Sequence, residues 1–400
     1  MIIRKAFKFE LMPNGEHIRK LKQFCGCSRF VFNQALAWQK DQYEQDNSIK
    51  FSYTKIANLL PTWKKEYDWL KTCHSQVLQQ SLKDLESAYR NFFRKQSDFP
   101  KFKKKGIKES IRFPQGTKLD ENNKRIFIPK IGYIRYRKSQ LIVGTIKNVT
   151  VSLNCGKWFV SIQTEYEQAE PIHQSNTEIG IDMGISRFAT LSNGIYFKPL
   201  NIFKQNQLKL RKLQQQLSHK KKFSQNWLKS KRKVSKLHHQ IANARKDYLH
   251  KISNEISQNH AMIYIEDLKV SNMSKSTKGN QEQQGKNVKA KSGLNKSILD
   301  QSWYEFRRQL EYKSYWHGGF VYSVDPKYTS QTCPCCSHVA KENRKTQANF
   351  ECVSCGYKEN ADLVGALNIF RVGHTRSVCE VNGAVMPSAT ETHRSELAIN

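Results

Sequence analysis

The sequence predicts a multidomain α/β protein: a strand-rich first half interrupted by helices, then a second half in which strands alternate with longer helices around a small cysteine-rich insert. Three observations carry this. The chain has 400 residues, enough for two to four modules. Its apolar spacing switches from a period of two to a helical period and back. Five of its ten cysteines, Cys333, Cys335, Cys336, Cys352 and Cys355, fall within 23 residues, while Cys25, Cys27, Cys73, Cys155 and Cys379 are scattered.

Residues 1–11 alternate, with Ile3, Phe7, Phe9 and Leu11 on one side and Lys5 as the exception, which predicts a strand. Residues 16–46 take helical spacing, with Ile18, Leu21, Phe24, Val31, Ala35 and Trp38 as the buried stripe, and a second helix is expected over 75–95. The Lys-, Phe-, Pro- and Gly-rich stretch DFPKFKKKGIKESIRFPQG reads as a loop entering a sheet, and residues 125–168 as strands between Gly and Asn turns. A polar linker, EYEQAEPIHQSN, ends this half near residue 176. The second half opens with strands at 178–184 and 187–192, followed by a long helical region, 203–259. Then come the strand AMIYIED, a polar segment from about 271 to 295 read as a flexible loop, a helix over 298–315 and a strand over 319–324. After the cysteines a short helix is expected at 362–372. The tail from Gly373 has no apolar period and is expected to be disordered.

Charge narrows the function. There are 67 Lys and Arg against 34 Asp and Glu, a formal net charge of +33. Self-repulsion on this scale calls for a polyanion, and nucleic acid is the first choice. No apolar run approaches the roughly 20 residues of a spanning helix, and MIIRKAFKFE has no signal-peptide core. The expectation is therefore a cytosolic, nucleoid-associated protein with no membrane role.

Cys333-Pro-Cys-Cys336 and Cys352-Val-Ser-Cys355 are fifteen residues apart, a zinc spacing. Each pair forms one knuckle, and two knuckles make a tetrahedral four-thiolate site. Cys335 leaves an ambiguity of register, but Cys333 with Cys336 fits the two-residue gap. Four thiolates leave no open position, so the zinc is structural and holds together an insert too small for its own core. His338 is superfluous and expected to be solvated.

Acids are scarce, so those on apolar frames stand out. In IGIDMG, alternation puts Ile179, Ile181 and Met183 on one face and Gly180, Asp182 and Gly184 on the other. The flanking glycines would let metal and phosphate approach. Glu266 ends the apolar strand AMIYIED, and Asp267 points to the opposite face. Asp362 opens a helix with small Gly365 and Ala366 beyond it. Each acid alone has an ordinary reading: a strand-end turn former, a solvated terminus, an N-terminal helix charge. Together, in so basic a chain, they suggest a two-Mg²⁺ site for phosphodiester hydrolysis.

These motifs, GIDMGISRFATLSNG, IYIEDLKVSNM and TSQTCPCC…FECVSCGYKENAD…ALNIF, with CGCSRFVFNQAL, FPKFKKKG and SIRFPQG earlier, resemble the TnpB (OrfB-type) proteins of insertion sequences, relatives of type V CRISPR effectors. The resemblance covers nearly the whole chain. It implies an RNase H-like (RuvC) nuclease domain at 173–329 and 358–372 with an inserted zinc ribbon at 330–357. It also implies a β-barrel wedge domain, 1–14 and 108–172, interrupted by a helical recognition lobe, 15–107, with 373–400 as the tail. The implied activity is RNA-guided cleavage of double-stranded DNA beside a short transposon-adjacent motif. By motif, Asp182, Glu266 and Asp362 would be catalytic and hold Mg²⁺, and Cys333, Cys336, Cys352 and Cys355 would hold Zn²⁺. The partners would be a guide RNA from its own transposon end and the target DNA. Two departures stand out: Val364 and Gly365 replace the usual Asn and Ala after Asp362, and Ser337 replaces a usual Gly after Cys336.

Residues 201–250 hold fourteen Lys and Arg and one acid, Asp247. Lys220, Lys221 and Lys222, and Lys231, Arg232 and Lys233, are read as backbone contacts to nucleic acid, which bring salt dependence but no sequence reading. Gln76 and Gln80, one helical turn apart with Lys83 beyond, could read adenine in a major groove, or simply form an exposed helix face. Two other functions use the same residues. One is a transposase that joins strands with the same acids; the other is a non-catalytic DNA-binding regulator of transposition.

Overall fold

The computed structural model describes residues 1–279 and 285–382. It confirms a multidomain α/β architecture in two compact units, one spanning Met1–Gln168 and the other beginning at Ala169.

In the first unit the elements are β1 (Ile2–Met12), α1 (Gly15–Gln45), α2 (Tyr53–Ala57), α3 (Leu60–Glu66), α4 (Ser75–Phe93), β2 (Glu109–Phe113), β3 (Lys118–Asp120), β4 (Arg125–Ile128), β5 (Gly132–Tyr136), β6 (Thr145–Asn154) and β7 (Lys157–Glu167). The alternation in β1 works as expected: Ile3, Phe7, Phe9 and Leu11 are buried. Lys5, on the same side, keeps its ammonium 5.5 Å from the centre of the Phe7 ring. Asn14 caps α1, its Oδ1 accepting from the His17 amide at 2.8 Å. The seven strands form one antiparallel sheet in the order β2-β6-β7-β1-β5-β4-β3. Cys155 and Gly156, both at positive φ, make the two-residue turn between β6 and β7. Helices and sheet share one core, in which Leu21, Phe24 and Val31 of α1 and Leu78, Leu82 and Leu85 of α4 meet Phe9, Ile111, Val151 and Ile162. The stretch read as a loop after α4 ends in a true strand, β2, whose Ile111 and Phe113 are buried.

The second unit contains β8 (Glu178–Asp182), β9 (Ala189–Leu191), β10 (Tyr196–Phe197), α5 (Ile202–Ser218), α6 (Gln225–Asn259), β11 (Met262–Glu266), α7 (Val270–Met273), α8 (Val288–Gln301), α9 (Trp303–His317), β12 (Phe320–Val324), β13 (Asn349–Glu351), β14 (Lys358–Asn360) and α10 (Ala361–Asn382). Its main sheet runs β10-β9-β8-β11-β12. Strands β8, β11 and β12 are parallel, and β9 and β10 return antiparallel. One face packs Ile179, Ile181, Ile263 and Ile265 against Leu249, Ile252 and Ile256 of α6 and Phe306 and Leu310 of α9. The other face receives α10, where Ile369 and Phe370 meet Tyr264 and Val324.

Four expectations are corrected here. The helical region 203–259 is a hairpin, broken between Ser218 and Gln225. The helix expected over 298–315 is two helices, because Ser302 adopts a left-handed φ of 57° between them. The polar segment 271–295 is partly helical, with α8 starting at Val288, and residues 280–284 lie outside the described residues. Finally, the tail expected to be disordered from Gly373 is helical as far as Asn382; 383–400 lie outside the described residues.

Gly180 has a different task from the one expected. A Cβ there would stand 2.4 Å from the Ala366 carbonyl oxygen and 2.7 Å from the Phe370 Cβ, both on α10. Its lack of a side chain serves helix-to-sheet packing, not metal or phosphate approach. Gly184 likewise serves a tight turn, its missing Cβ lying 2.8 Å from the Arg187 carbonyl oxygen. Gly180→Ala should therefore destabilise this unit by about 1–3 kcal/mol through overpacking against backbone that cannot yield. Gly293→Ala, in α8 with open space around it, should be neutral or gain up to ~1 kcal/mol. Thermal unfolding of the two variants, compared with wild type, checks the contrast.

Candidate functional site

Strands β8 and β11 are parallel neighbours with Ile181 opposite Ile265. One residue further along each strand stand Asp182 and Glu266, so the two acids end adjacent strands side by side. Alternation points both toward the α10 face. Asp362 lies in the first turn of α10, where its amide donates to Asn360 Oδ1 at 3.1 Å. Gly365, one turn on, lies against Asp182: a Cβ there would sit 3.1 Å from Asp182 Oδ2. The two departures at this motif thus have separate physical roles. Gly365 makes room for the carboxylate, and Val364, fully buried, joins Cys333, Phe350, Cys352 and Ala361 in the small core of the cysteine insert.

The electrostatics show what this proximity costs. Burial pushes the Asp182 carboxyl up to about 8, and the negative charges of Glu266 and Asp362 add to it; Arg344 and the Met183 amide oppose the rise. Burial also raises Glu266, against a hydrogen bond from Thr329 and the charge of Arg344. Burial first, and for Asp182 the neighbouring carboxylates second, favours the protonated form of Asp182 and Glu266, and an oxygen set of this kind suits a hard divalent cation. Asp267 turns the other way, as expected, and pairs with Arg307 at 2.5 Å.

Several neighbours join the acids, and of these only Asn368, the Asn retained in the Asp362 motif, was legible in the sequence. Thr329 Oγ1 donates to Glu266 Oε1 at 2.8 Å. Asn368, buried in α10, donates to the carbonyls of Thr329 at 2.8 Å and Thr332 at 2.7 Å. A polar chain thus joins α10, the approach to the cysteine insert and Glu266. Arg187 brings its Nε to 3.9 Å from Asp362 Oδ2, with its guanidinium 4.2 Å from the centre of the Tyr196 ring. Arg344 follows Asn343, which is fixed inside the insert by bonds to the carbonyls of Gln331 and His338 and from the Val353 amide. No spacing rule marks Thr329, Arg187 or Arg344, since each reaches the acids only through the fold.

The four cysteines close into a set whose sulfurs all lie within 4.8 Å of one another; among the described residues it is the one such group of potential metal ligands. The Cys333–Cys355 and Cys336–Cys352 sulfur distances are 3.6 and 3.5 Å. A tetrahedron with Zn–S of about 2.3 Å has edges of about 3.8 Å, so the set fits that ion. Cys335 stands outside it, exposed, giving its amide to Cys333 Sγ at 3.4 Å. The two knuckles repeat one hydrogen-bond pattern. Ser337 and Gly356 amides donate to Cys333 and Cys352 carbonyls, and Cys333 and Cys352 amides donate to His338 and Tyr357 carbonyls. Gly356 has φ of 75° and Ser337 has 60°, so the serine occupies a left-handed position that favours glycine.

The remaining candidates sit apart from the carboxylates in their hydrogen bonding. Gln76 Nε2 donates to Gln115 Oε1 at 3.1 Å and Gln80 Nε2 to Asp84 Oδ1 at 3.4 Å. Lys83 lies 5.8 Å from the centre of the Tyr53 ring. Lys220, Lys221 and Lys222 occupy the turn between α5 and α6; Lys231, Arg232 and Lys233 lie in the first part of α6, all of them exposed.

Two outcomes follow. Left-handed backbone costs a residue with a Cβ about 1–2 kcal/mol, so Ser337→Gly should stabilise the insert by about 1 kcal/mol and slow metal loss to a chelator. The native Asp182 carboxyl sits above its unfolded value of about 3.9, so the folded state binds the extra proton between the two. Without added divalent cation, stability should fall as pH rises from about 4 to about 8. Asp182→Asn should flatten that fall and leave the protein more stable than wild type at pH 8. Unfolding curves across this range check it, and parallel profiles for the two proteins would count against the buried cluster.

Comparison with known proteins agrees along the chain. Residues 161–277 match the OrfB family of IS605-type elements, described as "Probable transposase", and residues 303–369 match a "Cas12f1-like, TNB domain". Residues 1–48 match a "Helix-turn-helix domain", although here they fold as one strand and one unbroken helix. The chain is 56% identical over 377 residues to the Escherichia coli protein named "Putative RNA-guided DNA endonuclease InsQ", covering 94% of each. It is 29% identical over 407 residues to a Streptomyces pristinaespiralis protein named "Putative RNA-guided DNA endonuclease", covering 99% of this chain and 96% of that one. In fold it resembles the protein of a "Cas12f1-sgRNA-target DNA complex", with a TM-score of 0.55 at 13% identity, over 92% of this chain and 98% of that one. The chain belongs to the TnpB (OrfB-type) family of insertion-sequence proteins.

Proposed function

We propose that the protein is an RNA-guided endonuclease that cuts double-stranded DNA beside a short transposon-adjacent motif by metal-dependent phosphodiester hydrolysis. The observation that carries this is the placement of Asp182 and Glu266 on the ends of adjacent parallel strands beneath Gly365 of α10. The sheet order, with three strands in antiparallel succession and two more parallel to the first, supports reading the second unit as an RNase H-like (RuvC) nuclease. The sheet of the first unit reads as the wedge and its helices as the recognition lobe. No described helix is long and apolar enough to cross a membrane.

Asp182, Glu266 and Asp362 would hold Mg²⁺, which when bound supplies an activated water and stabilises the leaving oxygen. The chain's own groups do the positioning. Thr329 fixes one oxygen of Glu266, leaving the other for the cation. Asn368 locks the Thr329 backbone to α10. Arg187 and Arg344 set positive charge beside the acids, where a scissile phosphate would gather negative charge. The four cysteines would hold a structural Zn²⁺, because the insert's five-residue core is too small to fold alone. Specificity would come from a guide RNA of the protein's own transposon end, with the basic surfaces neutralising phosphates. Gln76, Gln80 and Lys83 are the proposed readers of the flanking motif.

Protein purified with its RNA should cut a matched plasmid in Mg²⁺. Asp182→Ala, Glu266→Ala and Asp362→Ala should each lose on the order of 10³-fold or more in cleavage while keeping nucleic-acid binding. Asp267→Ala should cut nearly as wild type. Elemental analysis should find about one zinc per chain, and Cys352→Ser should lower yield or stability. Site-specific cutting by RNA-free protein would overturn the guided reading, and strand-joined products would favour a transposase.

A further inference from the structure

We infer that the tip of the α5–α6 hairpin is a base-stacking platform for an unpaired or helix-terminal base of the protein's RNA, an inference that rests on the RNA-guided reading above. Phe223 is 79% exposed. It holds a left-handed φ of 69°, rare for so bulky a residue. The turn that presents it is fixed on both sides. The Lys220 amide donates to the Leu217 carbonyl and the Ser224 amide to the Lys221 carbonyl, each at 3.1 Å. Ser224 then caps α6, its Oγ accepting from the Trp227 amide at 3.2 Å. The Phe223 ring lies 5.5 Å from the Trp227 ring at 52°, and Lys231 Nζ stands 5.1 Å from the Trp227 centre. Behind the tip, Leu210, Leu237 and Ile241 seal the two helices together, so the apolar needs of the hairpin are met without Phe223.

The charge around the tip selects the partner. There is no Asp or Glu anywhere between Asp182 and Asp247, and the tip carries Lys220, Lys221, Lys222, Lys229, Arg232 and Lys233. An exposed phenylalanine backed by a half-buried tryptophan, in a stretch whose charges are all positive, matches phosphates with a base face between them. A continuous DNA duplex hides its base faces in the stack. Folded RNA exposes them in loops, bulges and helix ends, and proteins read those by aromatic stacking. The platform therefore fits RNA.

The test uses full-length protein stripped of nucleic acid and the RNA sequenced from the purified complex, made by transcription. Phe223→Ala should weaken RNA affinity about tenfold with no change in the salt dependence, and Phe223→Trp should restore it. Lys221→Gln should instead reduce the salt slope by about one. Chemical probing of the RNA should show one or two unpaired bases protected by wild type and by Phe223→Trp, and reactive with Phe223→Ala. Equal affinity and an identical reactivity pattern for Phe223→Ala would overturn the platform while leaving guided cleavage intact. A loss that emerges only when target DNA is added would overturn its assignment to RNA. Failure of wild type to bind the RNA would overturn the guided reading itself, and the platform with it.

Discussion

The second unit depends on how closely α10 approaches the sheet. Gly365 gives the Asp182 carboxylate room, and two further glycines make that approach possible, each filled by its neighbour: Gly180 by the α10 backbone and Gly373 by the Tyr264 ring, 2.2 Å from where a Cβ would be. With side chains at these positions the helix would stand off the strands. Asp362 would then leave the neighbourhood of Asp182 and Glu266, and the start of α10 would no longer draw the cysteine insert against the sheet. Packing, not any single polar contact, sets the geometry of the acids.

That packing works against electrostatics. Three carboxylates are brought together in a partly buried place, where burial and then the charges of Glu266 and Asp362 raise the Asp182 carboxyl. The compensation is local and cationic: Arg187 from the turn after β8 and Arg344 from the insert. The insert is thus more than an appendage. Its core shares Val364 with α10, its rigid Asn343 turn carries Arg344, and the Thr329–Asn368 link ties its approach to Glu266. A metal at the four thiols would stabilise the carboxylate site at a distance by holding those three connections.

Much of this was legible because it is written in local pattern. Alternation set the strands and the facing of Asp182, Glu266 and Asp267; the two-residue cysteine gaps selected Cys333 and Cys336 over Cys335. What escaped depends on contacts distant in sequence. Gly180 reads as a space beside an acid until α10 is seen to fill it. Thr329, Arg187 and Arg344 carry no motif. Ser302 breaks a continuous apolar period through its backbone alone, and α10 runs past Gly373 although its apolar stripe weakens there. The α5–α6 turn was legible as charge, but not the aromatic it presents.

Under the proposed function, α10, seated on glycine, completes a divalent-metal site with the strand-end acids. This is tested most directly by counting Mn²⁺ bound to the RNA-loaded protein by paramagnetic titration, in wild type and in Gly365→Val. Wild type should bind Mn²⁺ at the acids, and Gly365→Val should lose that binding while keeping its RNA and its cysteine-bound metal, because a Cβ at 365 already stands 3.1 Å from Asp182 Oδ2 and the valine methyls would crowd the carboxylate. Unchanged Mn²⁺ binding in Gly365→Val, with RNA and the cysteine-bound metal retained, would contradict it.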